Sequence, residues 1–278
     1  MARRKSRFSI GVFLAHCVLM AGAVLMVLPM LWMLVTSFKP APEIAIWPPR
    51  FLPRAPTFEN YVGLFQAAPF GRYFVNSFGI SLASTLAVMA TSMVAGAIFG
   101  KYRFPGRGLI FGLILATAIV PFETYMIPLY LQLIQIGWIN TYQGIVLPYL
   151  FMAFGIFLMR QHVASAIPDE LLEAARVDGG SEWWILRRVV APLSGNALAA
   201  VGIFAFIQGW TIFVWPLLVA NTPDLFNMEL GLTVFQFAFT SDYGKLMAGS
   251  VVSIVPMLIV FLLMRRRILD SIALSGLK

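Results

Sequence analysis

The sequence predicts an all-α polytopic membrane protein with six transmembrane helices. Hydrophobic residues make up 60% of the 278 residues and charged residues 12%. In a typical globular domain, about half of the residues are apolar and about a quarter are charged. The apolar residues fall in long runs, most of them near the roughly 20 residues that a helix needs to cross a bilayer. None of these runs alternates with a period of two. Because a helix satisfies its backbone hydrogen bonds within one segment in lipid, each run is expected to be helical.

Six apolar segments are expected to span the membrane, with ends blurred by proline and glycine. They cover about 9–38, 74–100, 108–127, 142–158, 195–220 and 246–264. Two extracytoplasmic loops are expected at about 39–73 and 221–245, and a long cytoplasmic loop at about 160–194. The chain, residues 1–278, is therefore interpreted as a single transmembrane domain.

The distribution of lysine and arginine predicts the orientation. Of the 20 such residues, 15 lie before the first span, between spans two and three, between spans four and five, or after span six. The other five are Lys39, Arg50, Arg54, Arg72 and Lys245. Because cytoplasmic segments carry the excess of positive charge, both termini are expected in the cytoplasm. Topology thus accounts for most of the net charge of +8, and no nucleic-acid partner is expected.

The sequence contains no pattern of catalytic or metal-binding residues. The stretch GAIFGKY at 96–102 is similar to a phosphate-binding loop, but it has three residues between its glycines instead of four, and Tyr102 stands where Ser or Thr is needed. We therefore expect no catalytic residue, no metal site and no nucleotide site in this chain. Gly96 and Gly100, with Ser92, form a spacing of small residues that favours close helix packing, although chance would also produce it.

One polar segment interrupts the apolar chain, DELLEAARVDGGSEWWILRRVVAP at 169–192. Pro168 and the acidic residues after it predict a helix start, and Gly179 predicts its end. Ser181 is expected to cap a second helix, which Pro192 closes. On spacing alone, the segment suits two interpretations equally: an element that docks on another protein, or a connector lying on the lipid surface.

This segment resembles the signature loop of permease subunits in binding-protein-dependent ABC importers of type I. The family pattern is Glu-Ala-Ala, three residues, Gly, nine residues, then Ile-x-Leu-Pro. The chain matches it from Glu173 to Pro192, with Val189 in place of Ile and Ala191 in place of Leu. The resemblance implies docking on an ATPase subunit. The residues expected to couple are Leu171, Leu172, Glu173, Ala174, Ala175, Asp178, Gly179 and Pro192.

The chemistry of these residues suggests how the docking would work. The two leucines are expected to supply apolar burial and the two alanines to let a groove close around the helix. Glu173 is expected to pair with a basic side chain of the ATPase. At Gly179 a side chain would either clash or force an unfavourable backbone conformation.

Further phrases are similar to maltose-type carbohydrate permeases almost from end to end. They are SFKPAPEI, PTFENYVGLF, RYFVNS, YRFPGR, IPLYL, GWTIFVWPLL and RRRI. The resemblance implies a multi-pass protein of the bacterial cytoplasmic (inner) membrane that forms half of a channel. Its implied partners are a second homologous permease subunit, two ATPase subunits and an extracytoplasmic solute-binding protein. No cofactor is expected in this chain, since ATP and magnesium would be bound by the ATPase subunits.

Polar and aromatic residues in span five predict a solute pathway. Gln208 and Thr211 share one face of a continuous helix, and Trp210 and Trp215 lie nearby. Polar groups at membrane depth usually face a cavity, and aromatic rings stack on sugars. Helix packing with an aromatic belt remains an equal alternative. Glu123 in span three is also a pathway candidate, and we expect it at the rim or at a subunit contact.

The outer loop at 221–245 is long and partly apolar. Leaving Phe235, Phe237 and Phe239 in water would be costly, so this loop is expected to meet a protein surface or to re-enter the bundle. The matching loop of maltose-type permeases reaches toward the binding protein. By this resemblance, the contact residues are Asn221, Thr222, Pro223 and Asp224.

An alternative function is a stand-alone secondary transporter, which would usually carry charged residues within its spans. A second alternative is a permease for polyols or glycerol phosphate-type solutes. The sequence does not determine the solute.

Overall fold

The computed structural model describes residues 10–236 and 242–275, with side chains for 11–236 and 242–263. The described elements are helices. They are α1 (Ile10–Ser37), α2 (Ala41–Ile44), α3 (Glu59–Ala67), α4 (Phe70–Lys101), α5 (Arg107–Thr117), α6 (Phe122–Gln135), α7 (Tyr142–Val146), α8 (Ala153–Ala166), α9 (Asp169–Val177), α10 (Glu182–Ile185), α11 (Ala191–Leu193), α12 (Gly195–Trp210), α13 (Val214–Val219), α14 (Met228–Leu232) and α15 (Tyr243–Ser275). Short 3-10 turns lie at Leu147–Tyr149, Pro223–Leu225 and Thr233–Phe235, and a π-helical turn at Leu186–Val190 joins α10 to α11.

Three of the described helices are long and apolar enough to cross a membrane alone: Gly11–Ser37, Phe70–Lys101 and Tyr243–Leu263. Three further pairs qualify when each bent pair is counted as one span. These are Arg107–Thr117 with Phe122–Gln135, Tyr142–Tyr149 with Ala153–Ala166, and Glu182–Leu193 with Gly195–Trp210. By length and composition, the described residues therefore offer between three and six crossings.

Spans three and four differ from the continuous helices expected from sequence. Helices α5 and α6 meet at an angle of 94°. Pro121 precedes α6 as its N-cap residue, and a proline disfavours helical geometry in the residue before it. The fourth segment bends by 45° between the Leu147–Tyr149 turn and α8. Helix α8 continues to Ala166, well past the expected end at 158.

Span five is also broken where the sequence suggested a helix to residue 220. Helix α12 ends at Trp210 and α13 begins at Val214. The cause is Pro216, which cannot donate to the carbonyl of Ile212 four residues earlier. That carbonyl instead accepts a hydrogen bond of 2.6 Å from Nδ2 of buried Asn227. The outer loop thus returns to the membrane domain and fills the break.

The chain divides into two compact units. The first consists of residues 1–68 and 234–252, of which 10–68, 234–236 and 242–252 are described. Its central polar residue is Asn60, whose Nδ2 donates to the carbonyls of Ser37 at 2.9 Å and Lys39 at 2.8 Å. These bonds hold α3 against the end of α1, since the amide satisfies carbonyls that the helix end leaves open.

The second unit consists of residues 69–233 and 253–278, described to 275. Helix α4 packs along α8 and α12. Their shared apolar core consists of Val88, Met93, Ala97, Met159, Val163, Ile167, Leu172, Ala175, Ile185, Val190, Ala197, Val201 and Ala205. This core extends into α9 and α10. The polar segment is therefore attached to the helix bundle by apolar packing.

Candidate functional site

Helix α9 begins and ends where the polar segment predicts. Pro168 is its N-cap residue, and Asp169 lies in its first turn, where the helix dipole favours acids. At the other end, the N–H of Gly179 donates to the carbonyl of Arg176 at 3.0 Å, and that of Gly180 to the carbonyl of Ala175 at 2.9 Å. This pair of bonds is the Schellman motif, which stops a helix abruptly.

The two faces of α9 have different environments. Leu172 is 4% exposed and Ala175 9% exposed, and both belong to the core shared with α4 and α8. Leu171 is 43% exposed, and Glu173, Ala174 and Asp178 are exposed. The expectation that both leucines and both alanines meet a partner is therefore wrong for Leu172 and Ala175, because their side chains are already packed inside this chain. They position the helix.

The exposed side of this helix defines a candidate docking surface. We call Leu171, Glu173, Ala174 and Val177 the docking face. Val177 is 87% exposed, and the sequence analysis did not single it out. Its position three residues after Ala174 was the signal that it shares that face. The docking face combines three exposed aliphatic side chains with one carboxylate, which would fit an apolar partner groove that carries a basic residue.

The two glycines after α9 have different roles. Gly179 has a φ of +84°, and a Cβ built there meets nothing within 4 Å. A side chain at this position would therefore strain the backbone without causing a clash. At Gly180 a Cβ would lie 2.8 Å from the carbonyl oxygen of Ala175. This second constraint was not predicted from the sequence, in which the paired glycines were its only signal.

A second helical segment, Glu182–Leu193, follows the glycines. Ser181 caps it by accepting a hydrogen bond from the N–H of Trp184 at 3.3 Å. Pro192 is exposed in its last turn. Since proline cannot donate to the carbonyl four residues before it, it accounts for the widened π-helical turn that precedes α11.

An ion pair connects α9 to this second segment. Nε of Arg176 lies 2.7 Å from Oε1 of Glu182. The Arg176 guanidinium holds the pKa of Glu182 below its ordinary value, and Glu182 in turn raises the pKa of Arg176. A carboxyl with a lowered pKa stabilises the folded state at neutral pH and loses that contribution as pH falls through its folded-state pKa. Because both side chains are well exposed, screening keeps the effect small.

A cavity of about 500 Å³ lies beside the break in span five. Its lining includes Glu123, Gln208 and Trp215, together with the aromatic side chains of Phe122, Tyr125, Tyr149, Phe151, Phe154 and Phe213. Three of the five predicted pathway residues therefore meet at one cavity. Glu123 supplies a carboxylate to it, which places this residue in the wall of the cavity.

The other two predicted pathway residues have structural contacts. Trp210 is fully buried, and its Nε1 donates to the carbonyl of Ser253 at 3.0 Å. The hydroxyl of Thr211 donates to the carbonyl of Ile207 at 2.9 Å. Sequence spacing suggested one helix face for Gln208 and Thr211, with Trp215 four residues further along, but α12 ends at Trp210 and that face does not continue to Trp215. The cavity brings Gln208 and Trp215 together instead.

The four predicted contact residues of the outer loop are exposed, and contacts within the second unit hold them in place. Oδ1 of Asn140 accepts from the N–H of Asn221 at 2.9 Å and of Thr222 at 3.1 Å. Asp224 forms an ion pair of 2.9 Å with Arg72. The sequence analysis missed Asn140, whose φ of 57° is tolerated by asparagine better than by most residues.

The rest of the outer loop turns inward. Met228, Leu230 and Leu232 on α14 are buried in the second unit, and Phe235, which belongs to the first unit, is 3% exposed. The burial of α14 agrees with the expectation that the loop re-enters the bundle. Phe237 and Phe239 lie outside the described residues. Among the described residues, no group of three His, Cys, Asp or Glu side chains could hold a metal ion.

Comparison with known proteins assigns the chain to a family. The model of the family described as "Binding-protein-dependent transport system inner membrane component" matches residues 92–270. The chain belongs to this family. The resemblance drawn from the signature loop is thereby confirmed. The matched residues include α9, the docking face and all of the cavity residues named above, so both candidate sites lie in the part that defines this inner-membrane component.

Two relatives extend the match to nearly the full chain. The arabinooligosaccharides transport system permease protein AraQ of Halalkalibacterium halodurans is 33% identical over 263 residues, which cover 92% of each chain. The diacetylchitobiose uptake system permease protein NgcG of Streptomyces coelicolor is 33% identical over 264 residues, 94% of this chain and 87% of the relative. The family description and the apolar helices together identify the chain as a multi-pass protein of the inner membrane.

A solved structure has the same fold. It is a chain of a bacterial ABC transporter involved in the import of the acidic polysaccharide alginate, with a TM-score of 0.82 and 22% sequence identity. The likeness covers 96% of this chain and 98% of that chain. It confirms the all-α membrane fold of an ABC importer permease.

Proposed function

We propose that this chain is a permease subunit of an ABC importer for a carbohydrate, acting in the bacterial cytoplasmic membrane. It forms half of the translocation pathway and receives the force of ATP hydrolysis through α9. The observation that carries the proposal is the docking face, which presents Glu173 outward while Leu172 and Ala175 fix the opposite side of the same helix in the bundle. A rigid helix exposed in this way suits a partner groove.

The proposed complex contains a second homologous permease subunit, two ATPase subunits and an extracytoplasmic solute-binding protein. ATP and magnesium are bound by the ATPase subunits in this proposal, which assigns no catalytic residue, metal or cofactor to this chain. The exposed loop residues Asn221, Thr222, Pro223 and Asp224 contact the binding protein. Their hydrogen bonds to Asn140 and the ion pair with Arg72 support this role. A loop that is fixed in this way passes the force of a contact to the helices better than a mobile loop does.

The cavity supports a carbohydrate as the solute. Its aromatic rings offer faces on which sugar rings stack, and Gln208 and Glu123 offer hydrogen-bonding groups for hydroxyls. The relatives named for arabinooligosaccharides and diacetylchitobiose favour an oligosaccharide. A glycerol phosphate-type solute is less favoured, because the lining residues include a carboxylate and no lysine or arginine. A polyol would use the same hydrogen-bonding groups as a sugar and is the alternative solute.

Reconstitution tests the proposed function. The chain would be purified with its co-expressed partner proteins and placed in proteoliposomes, and uptake would be measured for a panel of labelled oligosaccharides. We expect uptake that requires both ATP and the binding protein. Uptake driven by an ion gradient in the absence of ATP would contradict the proposal and favour the stand-alone transporter.

A pair of substitutions tests the pathway assignment. Gln208→Ala is expected to raise the apparent KM for uptake about 2- to 10-fold, as removal of one hydrogen bond worth about 0.5–1.5 kcal/mol would do. Thr211→Ala is expected to have little effect, because its hydroxyl bonds to its own helix at Ile207. Uptake kinetics in proteoliposomes measure both. Equal effects of the two substitutions, or none from Gln208→Ala, would contradict the assignment.

A further inference from the structure

The stretch GAIFGKY at 96–102 lacks the residues of a phosphate-binding loop, and the structure gives it another setting. It forms the end of α4. A Cβ built at Gly96 would lie 2.4 Å from Cβ of Met159, and one at Gly100 would lie 3.1 Å from Cγ1 of Val163. Both contacts are with α8. The two glycines therefore bring α4 against the helix that leads directly into α9.

The next residue, Lys101, reaches the start of α9. Its Nζ forms an ion pair of 2.7 Å with Asp169 in the first turn, and it donates to the carbonyl of Ile167 just before the helix. The lysine side chain is only 8% exposed. Lys101 holds the pKa of Asp169 below its ordinary value by hydrogen bonding and by its charge. The Asp169 carboxyl is therefore ionised at neutral pH.

Tyr102 reaches the other end of α9. Its hydroxyl donates to Oε2 of Glu182, the carboxylate that also pairs with Arg176 in the last turn of α9. The Arg176 guanidinium lies 5.9 Å from the centroid of the Tyr102 ring, within the range of a cation–π contact. Two adjacent residues at the end of α4 thus bind both ends of the nine-residue helix α9.

We propose that Lys101 and Tyr102 form a bracket that passes the displacement of α9 to α4. The inference rests on the proposed function of α9 and identifies where its motion enters the bundle. A helix held at both ends by one other helix moves with it as a rigid body. Lys101 and Tyr102 are not part of the docking face; they act through Asp169 and Arg176, which lie one helix turn from Glu173 on either side, and are therefore positioning residues.

The test separates docking from coupling. Lys101→Met removes the charge and keeps most of the side-chain length, and Lys101→Arg retains both charge and donor groups. For Lys101→Met we expect normal co-purification of the ATPase and continued ATP hydrolysis, with about tenfold less solute imported per ATP, within the range of coupling effects in proteins. Lys101→Arg should restore most of this ratio. The measurements are ATP hydrolysis and solute uptake in the same proteoliposomes.

Arg103→Met is the matched control. It removes the same charge two residues away, from a side chain with no ion pair among the described residues, and should leave the uptake-to-ATP ratio unchanged. Tyr102→Phe, which removes one hydroxyl, should lower the ratio less than Lys101→Met does. It also provides the test if Lys101→Met lowers the amount of protein in the membrane.

Three results would overturn the bracket. The first is a wild-type ratio in both Lys101→Met and Tyr102→Phe. The second is loss of the ATPase from the Lys101→Met complex, which would make the pair part of the docking surface. The third is an equal fall in the ratio for Arg103→Met. A wild-type complex without ATP-driven uptake would instead refute the proposed function.

Discussion

Reversing the charge at Glu173 is expected to abolish uptake while the chain still inserts in the membrane at its normal level. Glu173 is exposed in this chain, so Glu173→Lys leaves the bundle intact. In the complex, a lysine would face the basic side chain that we expect opposite Glu173. Leaving one partner of an enclosed charge pair without its counterion costs about 3–5 kcal/mol, which lowers the association constant by about two to three and a half orders of magnitude.

Three measurements check this expectation: the membrane level of the variant, co-purification of the ATPase, and uptake. Glu59→Lys makes the same change in the first turn of α3, also a nine-residue helix with an exposed glutamate, and should transport normally. Normal ATPase association and uptake in Glu173→Lys would refute the role of Glu173 in docking.

The second large effect is expected at Gly96 and concerns the bundle itself. In Gly96→Ala the added Cβ would lie 2.4 Å from Cβ of Met159 and 2.9 Å from the backbone nitrogen of Arg160. The clash includes backbone atoms of α8, which cannot move aside by changing rotamer as a side chain can. Helix α8 would therefore have to move away from α4. Overpacking of this kind costs about 1–3 kcal/mol. We expect less folded protein in the membrane and a melting temperature lower by several degrees in detergent.

Gly79→Ala provides the control on the same helix, since a Cβ at Gly79 meets nothing within 4 Å. It should be neutral or slightly stabilising, because alanine favours the helix by up to about 1 kcal/mol. A melting temperature for Gly96→Ala equal to that of Gly79→Ala would show that α4 and α8 do not approach each other as closely as the structure has them.

The limits of α9 could be predicted from sequence because local chemistry sets them. Pro168 lacks the backbone N–H that would donate to an earlier carbonyl, so it favours the start of a helix. The acidic residues after it stabilise the first turn. Gly179 adopts the positive φ that ends the helix, a conformation that most side chains disfavour. These features depend on neighbours in the chain, so a single sequence carries them.

The orientation of α9 could not be predicted in the same way. Leu171 and Leu172 are identical in hydropathy and adjacent, and only the position of the bundle decides which one is buried. Val163 and Ile185 belong to the core that receives Leu172, and they come from segments on either side of α9. Local sequence alone therefore predicts the same partner contact for both leucines.

The candidate cavity shows the same limit. Gln208 was selected as a polar residue at membrane depth and lines the cavity, but Trp215 was placed near it by assuming an unbroken helix. Pro216 predicts a break in the helix of span five. The direction of the chain after the break, however, depends on Asn227, which donates to the free carbonyl of Ile212. A contact between residues this far apart in sequence leaves no local pattern.

Cross-linking between the docking face and the ATPase tests the central claim most directly. The chain has one cysteine, Cys17, so Cys17→Ser gives a background in which single cysteines are placed at Ala174 or Leu172. Ala174 is exposed and Leu172 is 4% exposed, although they are two residues apart on α9. In the assembled, transport-active complex we expect a short bifunctional reagent to link Ala174→Cys to an ATPase chain and Leu172→Cys to none. Absence of a link at Ala174→Cys, or equal linking at both positions, would contradict the account.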